Sequence, residues 1–300
     1  MNNAVTATPA LDARRAGMAG MIGASVLFSL MAALIRSAHN VDSSVFALSR
    51  FAVGLACIAA GVAGGVASLS FVNRKLLVAR GLLGGAGVTI FYASIVHLGL
   101  AKGTVISYSY PIFAALIGAA TIGEHLGGRQ VSAIAVAFVG LVLTVGGNWT
   151  DLGAVGGMEA LALLGAVLAG AVIVIIRKLR ETDTTSTIFM AQCLVGLALV
   201  AGPAGRVDWN LTPAEWGILA GVGLFAAAGQ LLMTHSYKYL PVAQGAVLGM
   251  LTPVFNVLLG ISLFHETMTL PSGMGMLLVL WAGFQLNRDH SPRTPARRRH

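Results

Sequence analysis

Apolar and polar positions alternate along the chain in long blocks. Ten apolar runs of about 17 to 24 residues cover 17–36, 44–66, 76–98, 101–123, 130–147, 158–177, 185–203, 214–237, 241–264 and 271–287, and no connection between them exceeds about eleven residues. Roughly 20 apolar residues in helical form cross the hydrocarbon layer of a bilayer. The pattern therefore predicts an all-α integral membrane protein of ten transmembrane helices, spans 1 to 10, because lipid leaves each segment only its own backbone to satisfy its N–H and C=O groups.

One stretch of this pattern occurs twice. AKGTVISYSYPIFAALIGAATIGE, from Ala101 to Glu124, returns as AQGAVLGMLTPVFNVLLGISLFHE, from Ala243 to Glu266, at an offset of 142 and without a gap. Eight of the 24 columns are identical, among them Pro111/Pro253 and Glu124/Glu266, and self-similarity at a fixed period marks a duplicated unit. With five spans in each half, the second copy enters the membrane from the opposite side. The expected organisation is two five-helix inverted-topology repeats, 17–147 and 158–287, between an N-terminal tail, 1–16, and a basic C-terminal tail, 288–300. Inverted repeats recur in secondary transporters, with the substrate site near the midplane between the halves.

Composition agrees with lipid as the solvent: 56% of the residues are hydrophobic and 10% charged, where water-soluble domains carry about 25% charged residues. The net charge of +8 is no sign of nucleic acid, since five arginines lie in the last thirteen residues and the other basic residues sit in short turns. With the N-terminus in the cytoplasm, fourteen Lys and Arg fall on the inner side and three, Arg36, Lys102 and Arg206, on the outer side. That excess orients the chain with both termini cytoplasmic and puts Trp149, Trp209 and Trp216 at the outer interface. The first run is too long for a signal-peptide core and reads as a retained span. Cys57 and Cys193 lie in apolar runs as small hydrophobes, and no cofactor, metal or phosphate-loop motif is present.

The repeated helices carry the candidate chemistry. Gly103, Ser107, Pro111, Ala114 and Gly118 on span 4, and Gly245, Gly249, Pro253, Asn256 and Gly260 on span 9, recur at spacings of three and four and so share one face. Small residues there allow close helix packing, while Thr252 and Asn256 favour a cavity, since a mid-membrane amide normally meets a partner or water. Proline removes a backbone hydrogen bond, so Pro111 and Pro253 are expected to kink their spans as matched hinges, with Gly103, Gly118, Gly245 and Gly260 in the moving parts. GLLGGAG, 81–87, lies inside a span and reads as helix packing. Arg50 and Arg80 lie one to two turns from span ends and are expected to snorkel. Glu124 and Glu266 are expected to fix turns, and His97, His235 and His265 to be interfacial. No mid-membrane carboxylate stands out as a proton carrier.

Together with LSRF at Leu48 to Phe51, which looks like an Arg-Phe pair of the same kind, the twofold pattern A-x-G-x-V, Pro and terminal Glu resembles the EamA-type transporters of the drug/metabolite transporter superfamily. The resemblance covers the chain from 17 to 287 and points most to the amino-acid exporters, aromatic ones included. It implies a multi-pass carrier of the bacterial inner membrane, with a central cavity lined largely by helices 3, 4, 8 and 9. Other members move sugars, nucleotides or S-adenosylmethionine.

Tyr92, Tyr108, Tyr110 and Phe113 offer an aromatic wall, although one continuous helix cannot turn 108, 110 and 113 to the same side. Ser107, Gln230, Thr252 and Asn256 offer neutral hydrogen-bonding groups. The expected substrate site is Tyr92, Ser107, Tyr110, Gln230, Thr252 and Asn256, and a neutral amino acid with an aromatic or large apolar side chain fits it. A strongly anionic substrate would need a central Arg or Lys cluster, which the sequence does not display. The expectation is a facilitative exporter working by alternating access, with a small-molecule substrate and lipid as its partners and the monomer as its unit. The alternatives are a carrier of S-adenosylmethionine or a nucleoside, and, outside the class, an intramembrane enzyme or lipid-handling protein.

Overall fold

The computed structural model describes residues 8–38, 40–98, 100–144, 156–265 and 267–287. The expectations on Trp149, Glu266, the first seven residues and the tail 288–300 lie outside the described residues. Those described form twelve α-helices and no strand: α1 (Thr8–Ser37), α2 (Ser43–Ala63), α3 (Arg74–Leu98), α4 (Leu100–Ser107), α5 (Tyr110–Ile122), α6 (Gly128–Thr144), α7 (Gly157–Leu179), α8 (Thr185–Ala204), α9 (Pro213–Ser236), α10 (Val242–Gly249), α11 (Leu251–Phe264) and α12 (Leu270–Asn287). Eight segments are long and apolar enough to cross a membrane, while α6 and the apolar part of α12 are shorter. The outside of the bundle is apolar, with Leu82, Leu163, Leu194 and Leu224 exposed, as a lipid-facing surface requires.

Two of the eight segments, Gly103–Ile122 and Val242–Phe264, are interrupted. In the first, α4 stops at Ser107 and α5 starts at Tyr110; in the second, α10 stops at Gly249 and α11 starts at Leu251. The cause is the proline that follows each break. Pro111 and Pro253 have no N–H to give to the carbonyls of Ser107 and Gly249, four residues back, and their rings press on those carbonyls. The chain tightens into i→i+3 bonds instead, Ser109 N–H to Ile106 at 3.2 Å and Met250 N–H to Val247 at 3.1 Å. The backbone angles are almost the same at the two breaks, −72°, −7° at Ser109 and −68°, −4° at Met250.

Helix pairing follows the duplication. The large contacts run between the two halves: α1 packs on α9 and α11 while α7 packs on α3 and α5, α2 meets α9 while α8 meets α3, and the pairs α2–α8 and α6–α12 map onto themselves. Close approach at the self-mapping pairs depends on glycine. Any Cβ at Gly54 would press on Phe189, and any Cβ at Gly196 would press on Phe51, so each of α2 and α8 lays a phenylalanine over the other's glycine. Gly54 and Gly196 are themselves 142 residues apart. At α6–α12, Gly140 and Gly275 bring the two backbones together, and Ser272 Oγ donates to the Thr144 carbonyl at 2.8 Å. Small residues serve membrane helices this way because lipid supplies no hydrophobic drive for their association.

The ends of the two broken segments are also alike. Gly123 (φ 68°) and His265 (φ 55°) both take the left-handed conformation and donate their N–H to the carbonyls of Gly118 and Gly260. At this position a glycine in one half is answered by a histidine in the other. A residue with a Cβ is disfavoured there by on the order of 1 kcal/mol relative to glycine. His265→Gly is therefore expected to raise the thermal stability of the purified protein by about that amount, and Gly123→Ala to lower it similarly; a lower melting temperature for His265→Gly would show that the histidine side chain contributes more than its backbone strain removes.

Candidate functional site

A cavity of about 570 Å³ lies between the two halves and takes residues from both. That volume is ordinary for a small-ligand site. All six expected substrate residues, Tyr92, Ser107, Tyr110, Gln230, Thr252 and Asn256, line it, and so does Gly260; Pro111, Pro253, Gly103, Gly118 and Gly245 do not. Helix α1 takes a share that the sequence reading left out, through Ser25, Phe28 and Ser29, whereas α9 offers only Gln230 and Met233. Ser25 Oγ donates to the Leu248 carbonyl at 3.3 Å and Ser29 Oγ to the Thr252 carbonyl at 3.0 Å, so α1 braces the break in the second half. In the first half Gly170 does the corresponding work, by letting α7 approach the backbone of Phe113 and Ala114.

The breaks shape the lining. Ser107 and Gly249, whose carbonyls the prolines leave without a helical partner, both border the cavity. The break also solves the problem of the aromatic wall: Tyr108 and Tyr110, on either side of it, both face the cavity with ring centroids 6.0 Å apart, while Phe113 turns away to pack at Gly170. Tyr110 donates to the Ala246 carbonyl at 3.2 Å and lies over Gly249, where no Cβ has room. Gly245 leaves the same kind of room for the ring of Tyr237, and Gly118 is in ordinary contact with Val242.

Arg50 and Arg80 do not snorkel. Both side chains turn into the protein, with relative exposures of 8% and 1%, and both line the cavity. Arg50 lies on the buried stripe of α2 with Phe46, Phe51 and Gly54, and Arg80 lies beside the glycines where α3 meets α8, so helix packing, not distance from a span end, decides where they point. Gly81 and Gly85 do serve helix packing, against Ala191, Val195 and Gly196; Gly84 instead leaves the space that the Arg80 guanidinium occupies. Each arginine reaches a glutamine of the other half, Arg50 Nη2 to Gln230 Oε1 at 3.3 Å and Arg80 Nη2 to Gln192 Oε1 at 2.6 Å. Gln192 lies outside the expected site, although it stands 142 residues after Arg50 and thus at the matching place of the second half. The expectation that the centre holds no arginine cluster is corrected.

Five buried polar atoms of the lining lack a hydrogen-bond partner among the described residues: Arg50 Nε, Arg80 Nε, Arg80 Nη1, Tyr92 Oη and Asn256 Oδ1. Such atoms are rare in folded proteins, because each unmade bond leaves its desolvation uncompensated. Among the described lining residues there is no Asp or Glu. The arrangement is a mostly apolar and aromatic chamber with two buried cationic donors, a phenol and an amide aimed into it, and with the exposed Arg36 at one end.

The cavity follows α1 from Met21 to Arg36, where the guanidinium lies 4.7 Å over the ring of Phe264, and it does not extend to the other end of that helix. There the structure is sealed. Arg14 Nη2 donates to Gln244 Oε1 at 2.9 Å, Gly17 and Gly20 pack on Tyr239 and Ser236, and Glu124 Oε2 accepts from the Val242 N–H at 2.8 Å. Arg177 stands 3.7 Å from Glu124 Oε1 and donates to the carbonyls of Tyr237 and Lys238. The carboxylate at the end of one broken segment thus clasps the start of the other. Trp209 and Trp216 stack with centroids 5.9 Å apart.

A family model described as the EamA-like transporter family matches residues 15–146 and again residues 157–286. The pseudopaline exporter CntI of Pseudomonas aeruginosa, from two strains, is 26% identical over 284 and 281 residues, spanning 93% of this chain and 98% of the relative. Human solute carrier family 35 member G1 is 24% identical over 266 residues, 84% of this chain and 72% of the relative. A solved crystal structure superposes with a TM-score of 0.76 at 20% identity, over 90% of this chain and 96% of that one, which shows a shared fold. None of these names is that of an aromatic amino-acid exporter.

Burial raises the Glu124 carboxyl above its ordinary value of 4.5, and the Val242 N–H and Arg177 only partly offset this. Opening this end to water would return the group toward that value, so the sealed form binds the proton more tightly. Acidification through the window above pH 4.5 is accordingly expected to favour the sealed form, with amide exchange at 237–246 slowing beyond the intrinsic pH effect, and Glu124→Gln should abolish the dependence. Faster exchange on acidification, after the intrinsic correction, would contradict this.

Proposed function

Matched over both halves by one family model, the chain belongs to the EamA-like transporter family, and from this premise we propose that it exports a small amino-acid-like metabolite with an aromatic or apolar body, by alternating access. It is a multi-pass membrane protein of transporter type. In the proposal, ten spans form two inverted repeats, 17–147 and 158–287, in the bacterial inner membrane with both tails cytoplasmic. The excess of basic residues on that side supports the orientation. The sealed end at Glu124 then faces the cytoplasm, and the cavity faces outward.

The observation that carries the reading is the pair of matched breaks beside one cavity. A carrier has to present a single site to either side in turn, and two halves with equivalent hinges do this by exchanging roles. Pro111 and Pro253 would be the hinges; Gly103, Gly118, Gly245 and Gly260 would let the half-helices slide; and Tyr92, Ser107, Tyr110, Gln230, Thr252 and Asn256 would contact the substrate. The sulfonium alternative is disfavoured, because Arg50 and Arg80 would repel a cation in the same chamber. The export direction draws its support from the exporter relatives.

The test is counterflow in proteoliposomes loaded with unlabelled amino acids and their N-acyl derivatives and offered labelled ones. Saturable exchange is expected, and Pro111→Ala with Pro253→Ala should slow it about tenfold, the effect of 1.4 kcal/mol in the barrier. Unchanged exchange in the double variant would remove the hinges. No exchange of any labelled solute, together with chemical change of a lipid or peptide, would transfer the protein to the intramembrane enzymes.

A further inference from the structure

We propose that Arg50 and Arg80 form a carboxylate-binding subsite in the cavity, so that the transported metabolite carries at least one carboxylate on its apolar body. This rests on the reading of the cavity as the substrate site and adds its charge selectivity. Arg80 is 99% buried by side-chain packing yet uses only Nη2, toward Gln192, and its Nε and Nη1 have no partner among the described residues. Arg50 is held by Gln230 and leaves its Nε unused.

A glutamine amide orients a guanidinium but does not neutralise it. Two buried cations facing one chamber without a carboxylate in its described lining are unfavourable, since an isolated charge loses several kcal/mol of hydration in low dielectric. Something that binds there has to supply the negative charge. A guanidinium offers a planar fork of donors that fits a carboxylate through two parallel bonds, and the free edges of Arg80 and Arg50 are of this kind. Gly84 belongs to the subsite, because the space its missing Cβ leaves is where the Arg80 guanidinium lies. Phe28, whose ring centroid is 5.8 Å from Arg50 Cζ, and Tyr92 provide the apolar surface next to the charge.

The subsite predicts an unusual sign for stability. A structural arginine, retained for its bond to a glutamine, stabilises the ligand-free protein and its removal lowers the melting temperature. A ligand-binding arginine buried without a counter-ion opposes folding until the ligand arrives, so its removal leaves the ligand-free protein as stable or more so.

The experiment is thermal unfolding of the purified full chain in detergent, titrated with N-acetyl-L-phenylalanine, with its uncharged amide and with phenyl phosphate. The carboxylate is expected to raise the melting temperature and to bind roughly 10 to 100 times more tightly than the amide, the ratio that charged hydrogen bonds provide. In Arg80→Gln and Arg50→Gln this ratio should fall toward one while the ligand-free melting temperature holds or rises; Gly84→Ala should weaken the carboxylate through displacement of Arg80. Equal binding of carboxylate and amide, binding of neither, preference for phenyl phosphate, or an unchanged ratio in both arginine variants would each overturn the subsite. Counterflow run in parallel separates this from the transport reading. Exchange that ignores charge removes the subsite and leaves a carrier, whereas carboxylate binding without any exchange removes the carrier and leaves the subsite.

Discussion

Everything central to this molecule follows from one constraint: in a bilayer a backbone carbonyl must find its partner within the protein. Eight of the twelve described helices obey the constraint by running unbroken, and the other four form the two segments that break. The two broken segments show how the constraint is met at a price in regularity. Pro111 and Pro253 release the carbonyls of Ser107 and Gly249 next to a chamber, and nearby carbonyls are taken up by Ser25, Ser29 and Tyr110 from other helices. Irregular backbone at membrane depth is tolerated where it borders a cavity, and that is where it occurs.

Close helix packing is the second condition, and it is what turns a stack of apolar rods into a two-part body. Phe51 over Gly196 and Phe189 over Gly54 form a self-complementary crossing between the halves. The same device serves at Gly140 and Gly275, and in a different way at Gly84, where the empty space admits a cation and not a neighbouring helix. Glycine in this chain is thus a means of bringing specific groups close: ring to backbone, backbone to backbone, and guanidinium to helix. The packing contacts fall mostly between the halves, so the halves cannot be separated without dismantling the cavity they enclose.

The chamber combines two tendencies that oppose each other in lipid. Its walls are apolar and aromatic, yet Arg50 and Arg80 project into it with glutamines as their only hydrogen-bonding partners among the described residues. Low dielectric strengthens any interaction with an arriving anion and weakens the case for leaving those charges unanswered. At the far end the opposite arrangement holds: Glu124 meets Arg177 and the Val242 N–H, and the chain is closed. A carboxylate meets an arginine where the protein is shut, whereas no carboxylate of the described lining meets Arg50 or Arg80 in the chamber.

The sequence alone determined the helical class, the apolar segments, the internal duplication and the residues at which two segments depart from a regular helix, because each of these depends on local composition, on period or on the chemistry of proline. It also singled out Tyr92, Ser107, Tyr110, Gln230, Thr252 and Asn256, all of which border the cavity, because aromatic and hydrogen-bonding side chains within apolar runs have few other places to lie. The tertiary structure decided what depends on rotation of one helix against another. Arg50 and Arg80 are near enough to span ends to snorkel, and only the packing of α2 and α3 on the opposite half turns them inward to Gln230 and Gln192. Depth in a membrane can be counted along a chain; the direction of a side chain around its helix is set by the neighbour that helix meets.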